Sequence, residues 1–112
     1  MKWEPLACGS PSPCPREGHT LSVLENRRVV LYGGRGGDAG TVLADPAQLH
    51  PLVDGRKHPG IHGASPPGRT RHAACVLSKR SAILFLGGED EEGTPLMAPV
   101  LLEVPTFGDW HW

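Results

Sequence analysis

The chain is written twice. Arg16-Glu17-Gly18-His19-Thr20 is answered by Arg69-Thr70-Arg71-His72-Ala73. Each is followed by a polar turn, an apolar run and a glycine pair. The first copy reads Val29-Val30-Leu31-Tyr32-Gly33-Gly34 and the second Ala82-Ile83-Leu84-Phe85-Leu86-Gly87-Gly88. The histidines His19 and His72 stand 53 residues apart, and Gly33 and Gly87 stand 54 apart. Self-similarity at such a period marks a repeat architecture, because one unit cannot bury its apolar face alone and must stack on a neighbour.

Composition decides how the repeat is read. Gly and Pro account for 15 and 12 of the 112 residues. Without a period that would lean toward disorder; with one, it reads as many turns between short strands. A net charge of −1 argues against nucleic-acid binding driven by charge. No basic start precedes an apolar stretch, and no apolar run is long enough to span a bilayer. Three cysteines at irregular spacing, Cys8, Cys14 and Cys75, do not form a disulfide framework. A reducing setting is therefore expected, cytoplasmic or nuclear.

The coarse reading is all-β. In the first copy, strands are expected at Thr20–Leu24 and Arg28–Tyr32, joined by a turn at Glu25-Asn26-Arg27. A third is expected at Thr41–Leu43, after a loop at Arg35–Gly40. A weak outer segment is expected around Gln48–Val53, where Pro51 suits an edge. In the second copy, strands are expected at Ala73–Leu77, Ala82–Leu86 and Val100–Val104. The turn Ser78-Lys79-Arg80 and the acidic loop Glu89-Asp90-Glu91-Glu92-Gly93 connect them. No segment carries helical apolar spacing with caps at both ends. Trp3 and Trp110 lie about two periods apart and bracket the two copies.

This pattern resembles the kelch repeat. That signature runs from a tryptophan to Gly, Pro and Arg, then Gly-His, then an apolar strand ending in Gly-Gly, and closes on another tryptophan. Here the matching residues are Trp3, Gly9, Pro15, Arg16, Gly18, His19, Gly33 and Gly34, then Gly63, Pro67, Arg69, His72, Gly87, Gly88 and Trp110. Arg71 stands where the second unit's glycine is expected, and the first unit lacks its closing tryptophan. The resemblance implies two four-stranded antiparallel blades of an incomplete β-propeller. Residues 1–15 would be a lead-in strand of a neighbouring blade, 16–66 the first unit and 67–112 the second. Propellers close with about four to eight blades. Two units do not close a ring, so the chain reads as a fragment or short isoform of a longer protein, or one that associates with further copies. Exposed sheet faces and edges would leave it marginally stable and prone to aggregate.

Chemistry is sparse. His19 and His72 repeat in one structural slot, which favours a role in tying down loop backbone over catalysis. Arg16 and Arg69 are read the same way, although a ring of such arginines could also face a ligand. His58 and His62 have an i, i+4 spacing, but Pro59 and Gly60 oppose the helix that would bring the imidazoles together. Cys75 is expected to be a small buried hydrophobe. Gly33-Gly34-Arg35-Gly36-Gly37 opens no helix and lacks the Gly-Lys-Ser/Thr of a phosphate loop. Propeller oxidases need several tyrosine and histidine ligands, and Tyr32 is the only tyrosine. No catalytic residue, metal or cofactor is assigned.

Surface remains. An antiparallel blade brings the loops Arg35–Gly40 and Glu89–Thr94, and the segments entering Arg16 and Arg69, to one end. The candidate contact residues are Arg35, Asp38, Arg69, Arg71, Glu89, Asp90, Glu91 and Glu92. The turns Arg27-Arg28 and Lys79-Arg80 make the opposite end basic. The resemblance implies a non-catalytic protein-interaction module whose partners are proteins, including ubiquitin-ligase components or their targets, and neither nucleic acid nor membrane. The alternatives are a fragment of a propeller enzyme and a truncated product without its own function.

Overall fold

The computed structural model describes residues 1–3, 13–25, 28–49 and 60–112. Among the described residues, nine strands form two sheets. Sheet one holds β1 (Arg16–Val23), β2 (Val29–Gly36), β3 (Thr41–Val42) and β4 (Ala47–Leu49). Sheet two holds β5 (Ile61–His62), β6 (Ala73–Leu77), β7 (Ala82–Leu86), β8 (Val100–Glu103) and β9 (Trp110–His111). All pairs are antiparallel except β5 with β9. The chain is all-β, with two sheets packed as in an incomplete β-propeller. The strands expected at 73–77 and 82–86 are observed with those bounds, and that expected at 100–104 ends one residue early.

Two expectations need correcting. Gln48 and Leu49 do not begin an outer strand. They belong to β4, which pairs directly with β2, as β3 does. β3 and β4 are thus one interrupted strand, and the interruption ends at Pro46, which has no N–H to give to a ladder. The remainder of that expected segment lies outside the described residues, as do Asn26 and Arg27. Ile61 and His62, placed in the first unit by sequence, run parallel to β9 as a fifth strand of sheet two.

The core lies between the sheets. Leu24, Val30 and Tyr32 from sheet one and its turn meet Ile83, Phe85, Leu102, Val104 and Trp110, with Ala74, Val76, Val100 and Trp112 packed around them. Strand alternation explains the selection. Thr20 and Ser22 of β1 face sheet two, while His19, Leu21 and Val23 point away from it. Tyr32 lies 4.4 Å from Phe85 and 5.4 Å from Trp112, ring centre to ring centre. Arg28 is buried, so it does not add to a basic end. It donates to Val104 O (3.1 Å) and Pro105 O (2.9 Å), binding sheet one's turn to sheet two. Burial lowers its pKa.

The glycine pairs share one conformation. Gly33 and Gly34 have φ of +71° and +89°; Gly87 and Gly88 have +71° and +82°. The register extends to the residue before each histidine, Gly18 at φ +70° and Arg71 at +58°. Arg71 therefore holds a left-handed backbone that costs a side-chain-bearing residue about 1–2 kcal/mol. Its ion pair with Glu89 is 4.0 Å long with Arg71 largely exposed, which offsets little of that. Arg71→Gly is expected to raise the thermal midpoint by about 2–6 °C, equivalent to about 0.5–1 kcal/mol after glycine's extra unfolded-state entropy. Calorimetry checks this; an unchanged or lower midpoint would show that the strain is not there.

Candidate interaction surface

The arginines at the heads of the inner strands do one job twice. Arg16 Nη1 donates to Gly33 O at 3.2 Å, and Arg69 Nη1 donates to Gly87 O at 3.3 Å. Each ties its strand's start to the first glycine of its own pair. Arg16 also reaches Cys14 O (3.2 Å) and Sγ (3.5 Å). Arg69 is 2% exposed. Its placement among the surface contact residues is therefore wrong: the first sheet covers it. It sits beside the Tyr32 hydroxyl, which meets no hydrogen-bond geometry; burial raises the Tyr32 pKa and the Arg69 charge opposes that rise.

The histidines diverge. His72 is buried, with Nε2 2.8 Å from Thr20 Oγ1 across the sheets and edge-on contacts to Tyr32 and Phe85. It binds a side chain of the other sheet, not loop backbone as expected, and its Nδ1 is buried without a partner among the described residues. His19 is exposed, and its side chain makes no hydrogen bond among the described residues. The cause is position: β6 is covered by sheet one on the face that carries His72, and nothing described covers the same face of β1.

Burial lowers the His72 pKa to about 4, with the charge of Arg69 and then His19 adding to the effect. A depressed histidine pKa means that the unfolded chain takes up the proton first on acidification. Stability is then full above about pH 6.5 and falls down to about pH 4, by about 1–3 kcal/mol. Urea unfolding across that window is expected to show the decline, and His72→Gln to flatten it. An equal decline in the variant would assign the effect elsewhere.

Other assignments change with position. Trp110 is buried, but Trp3 is 93% exposed and lies in no strand. Trp110 packs into sheet two's core, whereas Trp3 joins no strand among the described residues. Cys75 is exposed rather than buried, while Ser22, its twin at the 53-residue spacing, is covered by sheet two. Trp112 joins the core beside Phe85, a role unassigned from sequence although its period-two spacing from Trp110 signals it. Gly9, Cys8 and His58 lie outside the described residues. His62 stands 2.7 Å from Asp109 Oδ2 and stacks on His111. That contact, with the Gly60 N–H, lowers the Asp109 pKa. Among the described residues no cluster of three or more His, Cys, Asp or Glu is arranged to hold a metal, and no helix is long and apolar enough to cross a membrane.

The loops at the glycine end meet. Arg35 Nη1 is 2.9 Å from Gly40 O and 3.4 Å from Glu91 Oε1, while the Val42 N–H donates to the other Glu91 oxygen at 2.5 Å. Glu91 thus fastens the second loop to the first. Asp90 Oδ1 accepts from the Glu92 and Thr94 N–H groups at 3.0 and 2.9 Å, which sets the second loop's turn. Thr70 and Glu89 exchange two backbone hydrogen bonds of 3.0 Å. Of the eight contact residues named from sequence, Arg69 is buried, Asp90 and Glu91 are committed to loop structure, and Arg35, Arg71 and Glu89 are in ion pairs. Asp38 and Glu92 are exposed, and their carboxylates make no ion pair among the described residues.

No protein-family profile matches the chain. Among the proteins it is similar to are three much longer ones. It is 37% identical over 89 residues to the dynein alpha chain of the flagellar outer arm from Chlamydomonas reinhardtii, covering 76% of this chain and 2% of that one. It is 34% identical over 92 residues to Adagio protein 3 of Arabidopsis thaliana, covering 81% and 14%. It is 26% identical over 113 residues to the serine/threonine-protein phosphatase BSL2 of the same plant, covering 99% and 11%. The chain thus spans a small fraction of the length of each relative.

Proposed function

We propose that this chain is a kelch-type, non-catalytic protein-interaction module whose contact surface is the joined loop face of the two sheets. One observation carries the reading: the two packed sheets hold the loops 35–40 and 89–94 side by side through Arg35 and Glu91. Binding loops positioned by a rigid scaffold are the usual form of recognition on repeat proteins. Two of the relatives, Adagio protein 3 and BSL2, are kelch-containing. The relatives' names, a dynein chain and a protein phosphatase among them, denote different activities. A segment shared by such proteins fits a contact module better than a reaction centre. The exposed carboxylates Asp38 and Glu92, in no ion pair among the described residues, suit a partner with a basic contact segment. A target-recognising part of a ubiquitin-ligase assembly is one form this role would take.

The test is affinity capture from cytosol with the native chain and with a variant carrying Asp38→Lys and Glu92→Lys. Both positions are exposed, so the fold is expected to survive. Specific partners retained by the native chain and lost by the variant would support the loop face. Identical capture by both, or none by either, would overturn it.

A further inference from the structure

The two outward sheet faces are the two halves of the interface that already joins the sheets. On sheet one, His19, Leu21 and Val23 point away from the core, and Leu21 and Val23 are 56% and 65% exposed. Their twins at the 53-residue spacing are His72, Ala74 and Val76, which are buried or packed against the core because sheet one covers them. On sheet two, Cys75 is exposed and Leu86 is 45% exposed. Their twins are Ser22, at 53 residues, and Tyr32, at 54, both buried because sheet two covers them. At these exposed positions each face therefore repeats the half-interface that its twin buries inside the molecule; Leu31, opposite Leu21 on the same face of sheet one, is already buried.

The backbone repeats as well. Across the internal interface, Gly34 N donates to Arg69 O and Arg71 N donates to Gly18 O, both at 2.8 Å. Gly88 and Arg16 O, one repeat away, offer the same donor and acceptor. A Cβ on Gly33 would collide with Arg69 O and the His72 ring; at Gly87, in the same conformation, nothing lies within 4 Å. The slot is present and open.

We infer that copies of this chain pack head to tail, the Cys75 and Leu86 face of one chain seating on the His19, Leu21 and Val23 face of the next. This continues the internal interface by the same repeat operation. Such an interface is heterologous: it uses two different patches, so it forms rings if the rotation closes and filaments if it does not.

Sedimentation velocity of the full chain in reductant, which removes any disulfide through Cys75, tests this over a wide concentration range. The native chain is expected to shift from monomer to multiples of the chain mass as concentration rises. Leu21→Glu and Leu86→Glu each disable one face. Both sites are exposed in the single chain, and circular dichroism checks that each variant is folded. Each variant alone is expected to stay monomeric, and an equal mixture to form a one-to-one heterodimer through the two intact faces. A native chain that stays monomeric, a single variant that still self-associates, or a mixture that remains monomeric would overturn the proposal. None of these outcomes depends on Asp38 or Glu92, so failure here is distinct from failure of the loop-face reading.

Discussion

Gly33→Ala is expected to destabilise the chain by about 3–5 kcal/mol, and Gly87→Ala by only about 1–2 kcal/mol. The two glycines have the same φ of +71°, so the backbone strain of a side chain is the same at both. Their surroundings differ. At Gly33 an added Cβ would meet the Arg69 carbonyl and the His72 ring. The Arg69 carbonyl cannot withdraw freely, because it accepts the Gly34 N–H at 2.8 Å. The His72 ring is held by Thr20 and by Tyr32 and Phe85. Relief therefore requires the sheets to part, with loss of core contacts. At Gly87 there is open space, and strain alone remains. Urea unfolding of the two variants beside the native chain measures the contrast. Equal losses would mean that the sheets do not approach each other at Gly33 as described.

Phe85→Ala is expected to cost about 3–5 kcal/mol, and Phe107→Ala less than about 0.5 kcal/mol. Phe85 is fully buried between the sheets, and Phe107 is 91% exposed. The Phe85 ring touches Tyr32, His72 and Trp112, so its removal opens a cavity shared by both sheets. The contacting groups sit on β2, on β6 with its lead-in, and at the chain's end, each fixed by its own backbone pairing, so the cavity does not collapse easily. A domain of this size has about 5–15 kcal/mol of stability in total, and the loss takes a large share of it. Fluorescence of the buried Trp110 reports the transition. If the two phenylalanine variants unfolded alike, the core would not lie between the sheets.

Much of the fold was legible because its signals are local. Short apolar runs in the same order as the first copy marked β6 and β7, and the polar turn at Ser78-Lys79-Arg80 set their pairing. The glycine pairs marked a backbone that both copies share. Less was legible where pairing is long-range. The strand interrupted before Pro46 and the parallel joining of β5 to β9 depend on partners many residues away. At the candidate surface, sequence placed Arg35 and Glu91 at one end of the molecule, and the structure brings them into contact. Charge alone did not distinguish Arg28 and Arg69, whose buried guanidinium groups donate to backbone carbonyls, from arginines free to meet a partner.

The repeat itself, its period, its all-β character and the identity of its glycine and arginine slots follow from sequence, because they rest on backbone sterics and on the two-residue rhythm of a strand. Whether a given slot is buried or open was decided only by tertiary structure. His19 and His72 occupy the same place in their repeats, as do Ser22 and Cys75. Only the presence of a second sheet on one side, and of none described on the other, makes one of each pair core and the other surface.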